Sequence, residues 1–223
     1  MKLLDVTVNG TQIHVENYPD AERVVRISGD AVQRLCDLGL HRDDLAFARE
    51  CLDALTRLDT QAADVEVIRS ALYRSAIVHL FKCFGKNASR SSLRSDEIYT
   101  AEGQVALDVF AHFKIIRNKH LVHDENSYTQ SHPGAIINPE SHSQKVAAVI
   151  CMNYAVDLID QSSFNNLYSL VSTALEWVHK AYDDLERELR AELEARSRAE
   201  LVALPTLVIP KLSDGAFARP RTR

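Results

Sequence analysis

The sequence predicts a mainly α-helical protein: an antiparallel helical bundle with a small β-hairpin or sheet beside it. Three observations predict this fold class. Glycine (7) and proline (6) are scarce among the 223 residues. Apolar residues recur at helical spacing over most of the chain, whereas alternating apolar residues occur only in short stretches. Hydrophobic residues make up 46% and charged residues 26%, a balance typical of a chain that buries a core.

Residues 1–27 are assigned to an N-terminal β-hairpin region. Apolar residues alternate on both sides of Asn9-Gly10: Leu4, Val6 and Val8 before it, and Ile13 and Val15 after it. Asn-Gly between alternating runs predicts a hairpin, because both turn positions need a positive φ. Residues 23–27 are expected to add a short third strand.

Residues 28–200 are assigned to the helical bundle. Apolar spacing, caps and stop signals predict five helices: Gly29–Leu38 between a Ser28 cap and Gly39, Arg42–Leu58, Asp64–Gly85, Glu102 to about residue 120 with Thr100 as its cap, and Ser163–Ala199. The serine- and arginine-rich segment 86–95 is predicted to be an exposed loop, with Arg90 and Arg94 in solvent. Residues 124–133 are a loop by composition.

A second hairpin is predicted within the bundle region, near 135–152. Ala135–Asn138 and Lys145–Met152 have the composition of strands around a polar turn. Together with the N-terminal hairpin, they are expected to form one small antiparallel sheet. The tail, residues 201–223, holds an apolar stretch and a basic end; it docks on its own bundle or on a neighbouring subunit, or stays mobile.

Charge and motif content exclude several function classes. The net charge of −5 offers no global attraction to nucleic acid, so RNA binding would need a local basic patch. No P-loop, GxGxxG or GxSxG is present, and we expect no cofactor. No CxxC occurs among Cys36, Cys51, Cys83 and Cys151, which we expect to be buried reduced thiols. The N-terminus lacks a signal-peptide core and no stretch is long enough to span a membrane, which predicts a cytoplasmic protein without membrane contact.

One short stretch concentrates acid–base groups, namely residues 117–126, RNKHLVHDEN, at the end of an apolar helical run. Arg117 can hold a phosphate at two points. His123 titrates near neutrality and can give and take protons. These groups suit metal-independent RNA cleavage, in which a base, an acid and a stabilising cation act on the phosphate. Two copies related by a two-fold axis would supply two histidines and two arginines.

This arrangement resembles the signature of the HEPN family, an arginine, a polar residue and then a histidine four to six positions on. Arg117, Asn118 and His123 match it, with five residues between the arginine and the histidine. The resemblance implies a helical bundle, a homodimer and a metal-independent endoribonuclease with an RNA substrate. The family occurs in toxins and in phage-defence systems, so an antitoxin or a sensor protein is a further candidate partner.

The resemblance implies that Arg117 binds the scissile phosphate and that His123 is the general acid or base. Asn118 would orient the phosphate or the histidine, and Lys119, His120 and Asp124 are supporting residues. His120 is the rival histidine, with only two residues between it and Arg117, closer than the family spacing. In an unbroken helix His123 lies about 120° from Arg117. We therefore expect the helix to fray or tighten near Leu121.

Three alternatives stand beside this hypothesis. In the first, the arginine and the histidine of the motif serve only as helix caps. In the second, the chain is a non-catalytic HEPN-like module for dimerisation or for nucleotide or RNA binding. A zinc site from His120, His123, Asp124 and Cys151 lacks any recognised spacing, and we predict no metal.

Overall fold

The structure is a computed structural model, and it describes residues 6–9, 12–15, 18, 20–21, 23–59, 61, 64–86, 90–122, 129–155 and 159–208. Six α-helices and two β-hairpins are found in these ranges. In chain order they are β1 (Val6–Asn9), β2 (Gln12–Val15), α1 (Asp30–Leu55), α2 (Val65–Phe84), α3 (Ser95–Tyr99), α4 (Gln104–Ile116), a π-helical segment (Arg117–Val122), β3 (Thr129–Ile137), β4 (Val146–Ala155), α5 (Gln161–Glu194) and α6 (Arg198–Ala203). The predicted fold class, mainly α with a small antiparallel β appendage, is confirmed.

The chain divides into two compact units. The first comprises residues 1–46, 83–94 and 173–223, and the second comprises residues 47–82 and 95–172. Aliphatic side chains fill the core of the first unit: Leu38, Leu45, Leu93, Val178 and Leu189. Aromatic side chains are prominent in the core of the second unit: Tyr73, Phe81, Tyr99, Phe110 and Phe113. The second unit contains α4 and the π-helical segment.

Helix α1 runs through Gly39, where a break between two helices was predicted; that prediction is wrong. Glycine inside a helix costs about 1 kcal/mol relative to alanine. The cost is small beside the gain from burying Leu38 and Leu45 on either side of it. A helix-stop residue therefore fails to stop a helix whose next turn is also apolar.

Two other predicted helix boundaries are corrected. Thr100 does not cap α4; it opens a short 3-10 turn, and α4 follows Gly103, whose φ of 87° favours glycine. The last long helix ends at Glu194 rather than near 199. Ser197 then starts α6 with a reciprocal capping box to Glu200.

The two hairpins form separate two-stranded sheets, so the single sheet expected from sequence is wrong. In the first hairpin Asn9 pairs with Gln12. The second is longer than predicted, because β3 already begins at Thr129 and includes Pro133, in a stretch assigned to a loop. Composition did not reveal this strand, because a proline argues against a strand in general. An edge strand such as β3 nevertheless accepts a proline.

Residues 23–27 pair with the tail instead of extending the first hairpin. Val25 and Thr206 form an isolated antiparallel bridge. The Arg26 amide donates to the Pro205 carbonyl at 2.7 Å, and the Leu207 amide donates to the Val24 carbonyl at 3.0 Å. Up to residue 208, the tail therefore docks on its own chain, and residues 209–223 lie outside the described part.

Candidate functional site

Buried aromatic contacts hold the helix that leads into the RNKHLVHDEN motif. Phe110 of α4 lies with its ring centroid 5.0 Å from that of Phe81 and 5.3 Å from that of Tyr99. The Tyr99 hydroxyl donates to the Leu170 carbonyl at 3.0 Å. Phe113 and Ile116 are buried one and two turns further on. The end of α4 is therefore fixed by packing.

The motif itself departs from α-helical geometry. Residues Arg117–Val122 form a π-helical segment, in which hydrogen bonds join residues five apart rather than four. Of the two changes predicted near Leu121, tightening is wrong, since the helix widens there. Fraying at the end of the motif stays a prediction, because residues 123–128 lie outside the described part. π-Helical turns are rare and occur frequently at functional sites.

Arg117 stands at the junction of the two geometries. Its backbone amide donates to the carbonyls of Lys114 and Phe113, and its side chain is half-buried. The guanidinium Nη1 donates to the Asn118 Oδ1 at 2.9 Å. The Nε atom is buried and has no hydrogen-bond partner in the described part of the chain. A buried donor without a partner costs about 1 to 3 kcal/mol, and more on a charged group.

The other predicted site residues are only partly placed. Asn118 is half-buried against Arg117, Lys119 is exposed, and His120 is half-buried in the same π-helical segment. His123 and Asp124 lie outside the described residues. The contact of Arg117 with Asn118 was not predicted from the sequence. The orientation of a phosphate or of His123 by Asn118, and the pairing of Arg117 with His123, stay predictions.

The surroundings of Arg117 along the chain are basic. Residues 111–122 include three lysine or arginine side chains, two histidines and no acidic residue. Lys114 and Lys119 are exposed. Asp124 and Glu125 follow within the same motif, so the local basic patch that RNA binding would require stays a prediction.

Sequence analysis missed a buried polar cluster in the first unit, made of Asp37, His41, Asp44, Arg90 and Ser91. The Arg90 Nη2 donates to the Asp44 Oδ2 at 2.7 Å, and both side chains are less than a tenth exposed. The prediction that Arg90 lies in solvent is therefore wrong. A charged loop residue can become buried when a carboxylate compensates for the lost water.

His41 lies at the centre of this cluster and is fully buried. Its Nε2 is 2.7 Å from the Ser91 carbonyl oxygen. Because a carbonyl only accepts hydrogen bonds, this nitrogen carries the proton and Nδ1 is the bare acceptor of a neutral ring. The pKa of His41 is lowered from 6.5 to about 4, mainly by burial. The Ser91 hydrogen bond and the Asp37 carboxylate oppose this shift, and the nearby Arg90 and Arg34 guanidiniums add to it.

Asp37 completes the cluster by accepting from both the amide and the hydroxyl of Ser91, each at 2.8 Å. The imidazole of His41 contacts the Ser91 carbonyl and not its hydroxyl, so the three residues do not have the geometry of a hydrolase triad. One sequence signal was present: Asp37, His41 and Asp44 are spaced four and three apart, on one face of a helix.

The cysteines and the candidate metal ligands give two further findings. Cys51 and Cys83 are buried as predicted, but Cys36 and Cys151 are exposed, which corrects the expectation for those two. Burial raises the pKa of the Cys51 thiol.

Within the described ranges, no three histidine, cysteine or acidic side chains come together as metal ligands. Two members of the zinc alternative, His123 and Asp124, lie outside those ranges.

No helix in the described part of the chain combines the length and the apolar character needed to cross a membrane. Comparisons of the chain with protein-family models, with curated proteins and with solved structures found no match.

Proposed function

We propose that this chain is a metal-independent endoribonuclease of HEPN type that acts in the cytoplasm, with a composite active site at a homodimer interface. The observation that carries the proposal is the coincidence of two independent features. The segment that leaves α-helical geometry, Arg117–Val122, begins at the arginine of the RNKHLVHDEN motif. π-Helical geometry is uncommon and concentrates at functional sites.

The state of the Arg117 side chain supports the same function. A structural arginine usually pairs with a carboxylate, as Arg90 does with Asp44. Arg117 is instead held by the neutral amide of Asn118, and its charge is not neutralised by any described carboxylate. A guanidinium in this state keeps its attraction for a phosphate, which it can bind through two parallel hydrogen bonds.

In this function, each residue has one role. Arg117 binds the scissile phosphate and stabilises the negative charge that develops on it. His123 takes or gives the proton, and its counterpart in the second copy does the reverse. Asn118 orients the guanidinium, and Lys119 adds positive charge for the RNA backbone. One Arg–His pair supplies half of this machinery, so the second copy is part of the site. A toxin or phage-defence role, with an antitoxin or sensor protein as partner, is the proposed setting.

Cleavage of labelled RNA in the presence of EDTA tests the proposal. We expect Arg117→Ala and His123→Ala each to reduce the cleavage rate by about 10²- to 10⁴-fold, since each removes a charge-stabilising or proton-transferring group. Arg74→Ala on α2 and His142→Ala in the turn between β3 and β4 are the matched controls, because both side chains are exposed and lie outside the motif. Neither control variant should change the rate by more than about twofold.

The double variant separates the two candidate functions. If Arg117→Ala/His123→Ala cleaves RNA as fast as the wild type, the catalytic proposal is wrong. Binding of RNA without cleavage by the wild type would instead support the non-catalytic module. His120→Ala tests the rival histidine in the same assay, and loss of cleavage there with activity retained in His123→Ala would reassign the proton-transfer role.

A further inference from the structure

The β3–β4 hairpin is exposed on both faces although it is rich in apolar residues. The structure describes the burial of residues 130–137 in β3 and 146–153 in β4, and all of them are exposed except Gln130, Gly134 and Ile150. The most exposed apolar side chains are Val149 (81%), Ile137 (67%) and Met152 (59%). A lone two-stranded hairpin is marginally stable in water, and at least three strands or a packed partner are needed for stability. Exposed apolar surface of this kind marks an interaction site.

The two edges of this hairpin differ in their ability to accept another strand. The Asn138 amide donates across the hairpin to the Lys145 carbonyl at 2.9 Å. Because successive amides of a strand point in opposite directions, the even-numbered residues of β3 direct their N–H groups toward β4, and position 133 faces outward. Proline occupies that position, so the outer edge of β3 lacks a donor there.

The outer edge of β4 carries no proline. Its one recorded irregularity is a register shift between Val146 and Ala148, opposite Ile136 and Ile137, before the outward amides named next. Pro133 pairs with Cys151 and Ala135 pairs with Val149, so the amides of Val149, Cys151 and Asn153 point outward by the same alternation. Strand β4 contains no proline, no glycine and no charged residue. An edge without these features is the kind on which a further strand adds readily.

We propose that the β4 edge pairs with the β4 edge of a second copy of this chain, which forms a four-stranded antiparallel sheet across a two-fold axis. A four-stranded sheet exceeds the three strands needed for independent stability, whereas a lone hairpin has only two. Self-pairing places no like charges opposite each other, because β4 is neutral along its length. That neutrality matters in a chain whose net charge of −5 makes two copies repel elsewhere.

The position of the hairpin in the chain ties this interface to the RNKHLVHDEN motif. Six residues separate Val122 from Thr129, and a chain of that length reaches at most about 25 Å. A second copy held by β4 is therefore tethered near the motif. This point alone rests on the proposed function, in which the active site needs two copies; the assembly itself does not depend on RNA cleavage.

The oligomeric state of two matched proline variants tests the interface. Val149→Pro removes an outward amide from the β4 edge, and Ala135→Pro makes the same change on the opposite edge at its cross-strand neighbour. Neither removes a donor from the β3–β4 ladder. By sedimentation equilibrium, we expect a wild-type dimer, an Ala135→Pro dimer, and a dimer Kd raised about tenfold or more in Val149→Pro, since one backbone hydrogen bond is lost from each copy.

The inference would be overturned by a wild-type protein that stays monomeric at about 50 μM. It would also be overturned if the two proline variants had the same dimer Kd. Amide hydrogen exchange of the wild type gives a readout that does not depend on the folding of a variant. Val149, Cys151 and Asn153 should gain protection as the protein concentration rises, whereas Ser131 and Ala135 should not. A β4-paired dimer that leaves RNA intact would contradict only the proposed function.

Discussion

The buried cluster around His41 and the motif around Arg117 contain the same kinds of side chain in opposite states. In the cluster, Arg90 pairs with the Asp44 carboxylate and Asp37 accepts two hydrogen bonds from Ser91. In the motif, Arg117 contacts a neutral amide and its buried Nε has no described partner. A buried charge whose partners lie within the fold is needed by the fold, because removing one partner leaves the other uncompensated. A charge without them is available for a ligand, and this difference directs the functional interpretation to Arg117.

Removal of each arginine should show the largest contrast. Arg90→Ala removes the guanidinium from a buried ion pair with Asp44, so we expect the free energy of unfolding to fall by about 3 to 5 kcal/mol. Arg117→Ala removes a buried donor without a partner among the described residues, and this gain offsets the loss of the Asn118 hydrogen bond. We therefore expect a net change within about 1 kcal/mol. Urea unfolding of both variants measures the contrast, and similar losses in the two would contradict it.

The pH dependence of stability should report on His41. The ring takes up a proton near pH 6.5 in the unfolded chain but only near pH 4 in the folded protein. Its contribution is therefore complete above pH 6.5 and is lost as the pH falls toward 4, by up to about 3 kcal/mol. His41→Gln keeps a donor for the Ser91 carbonyl but does not titrate, so its unfolding free energy should fall less over that range.

His112→Ala serves as the control for this measurement, because His112 is an exposed histidine of α4. Its profile between pH 4 and 6.5 should follow that of the wild type. A His41→Gln profile that also follows the wild type would mean that another group causes the acid sensitivity.

The smallest expected effect comes from giving Arg117 the kind of partner that Arg90 has. Asn118→Asp places a carboxylate beside the guanidinium and should raise the free energy of unfolding by no more than about 1 kcal/mol, because the site is only half-buried. The same carboxylate competes with phosphate, so we expect RNA cleavage to fall about tenfold, which corresponds to about 1.4 kcal/mol. Asn118→Ala removes the hydrogen bond without adding charge, and a fall of equal size there would show that orientation, not charge, matters.

Sequence patterns predicted the strongly periodic elements correctly. They failed at helix boundaries that were assigned from a single stop or cap residue. Helix α2 was placed within one residue at each end, because its apolar spacing has no competing signal. Gly39 and Thr100 were misread, since a stop or cap residue acts only where the neighbouring turns gain little from burial. The segment with Arg90 was assigned to solvent because composition does not reveal that Asp44 lies within hydrogen-bond distance.

The candidate site was also only partly predictable. The RNKHLVHDEN motif was located by its residue types, but the hydrogen bond between Arg117 and Asn118 was not predicted. The widening of the helix at Arg117 was not predicted. Nothing in the spacing of the motif distinguishes a wide helical turn from a tight one. The His41 cluster was overlooked because its arginine and serine come from a loop some 50 residues further along the chain.

The sequence by itself determined the helical class, the positions of the two hairpins and the place where acid–base groups concentrate, because these depend on periodicity and on residue type along the chain. Only the tertiary structure decided which charges are paired. Whether an arginine is a structural cation or a candidate ligand-binding group depends on what the fold brings within about 3 Å of it. Arg90 and Arg117 look alike in the sequence, and folding gives a carboxylate to the first and an amide to the second.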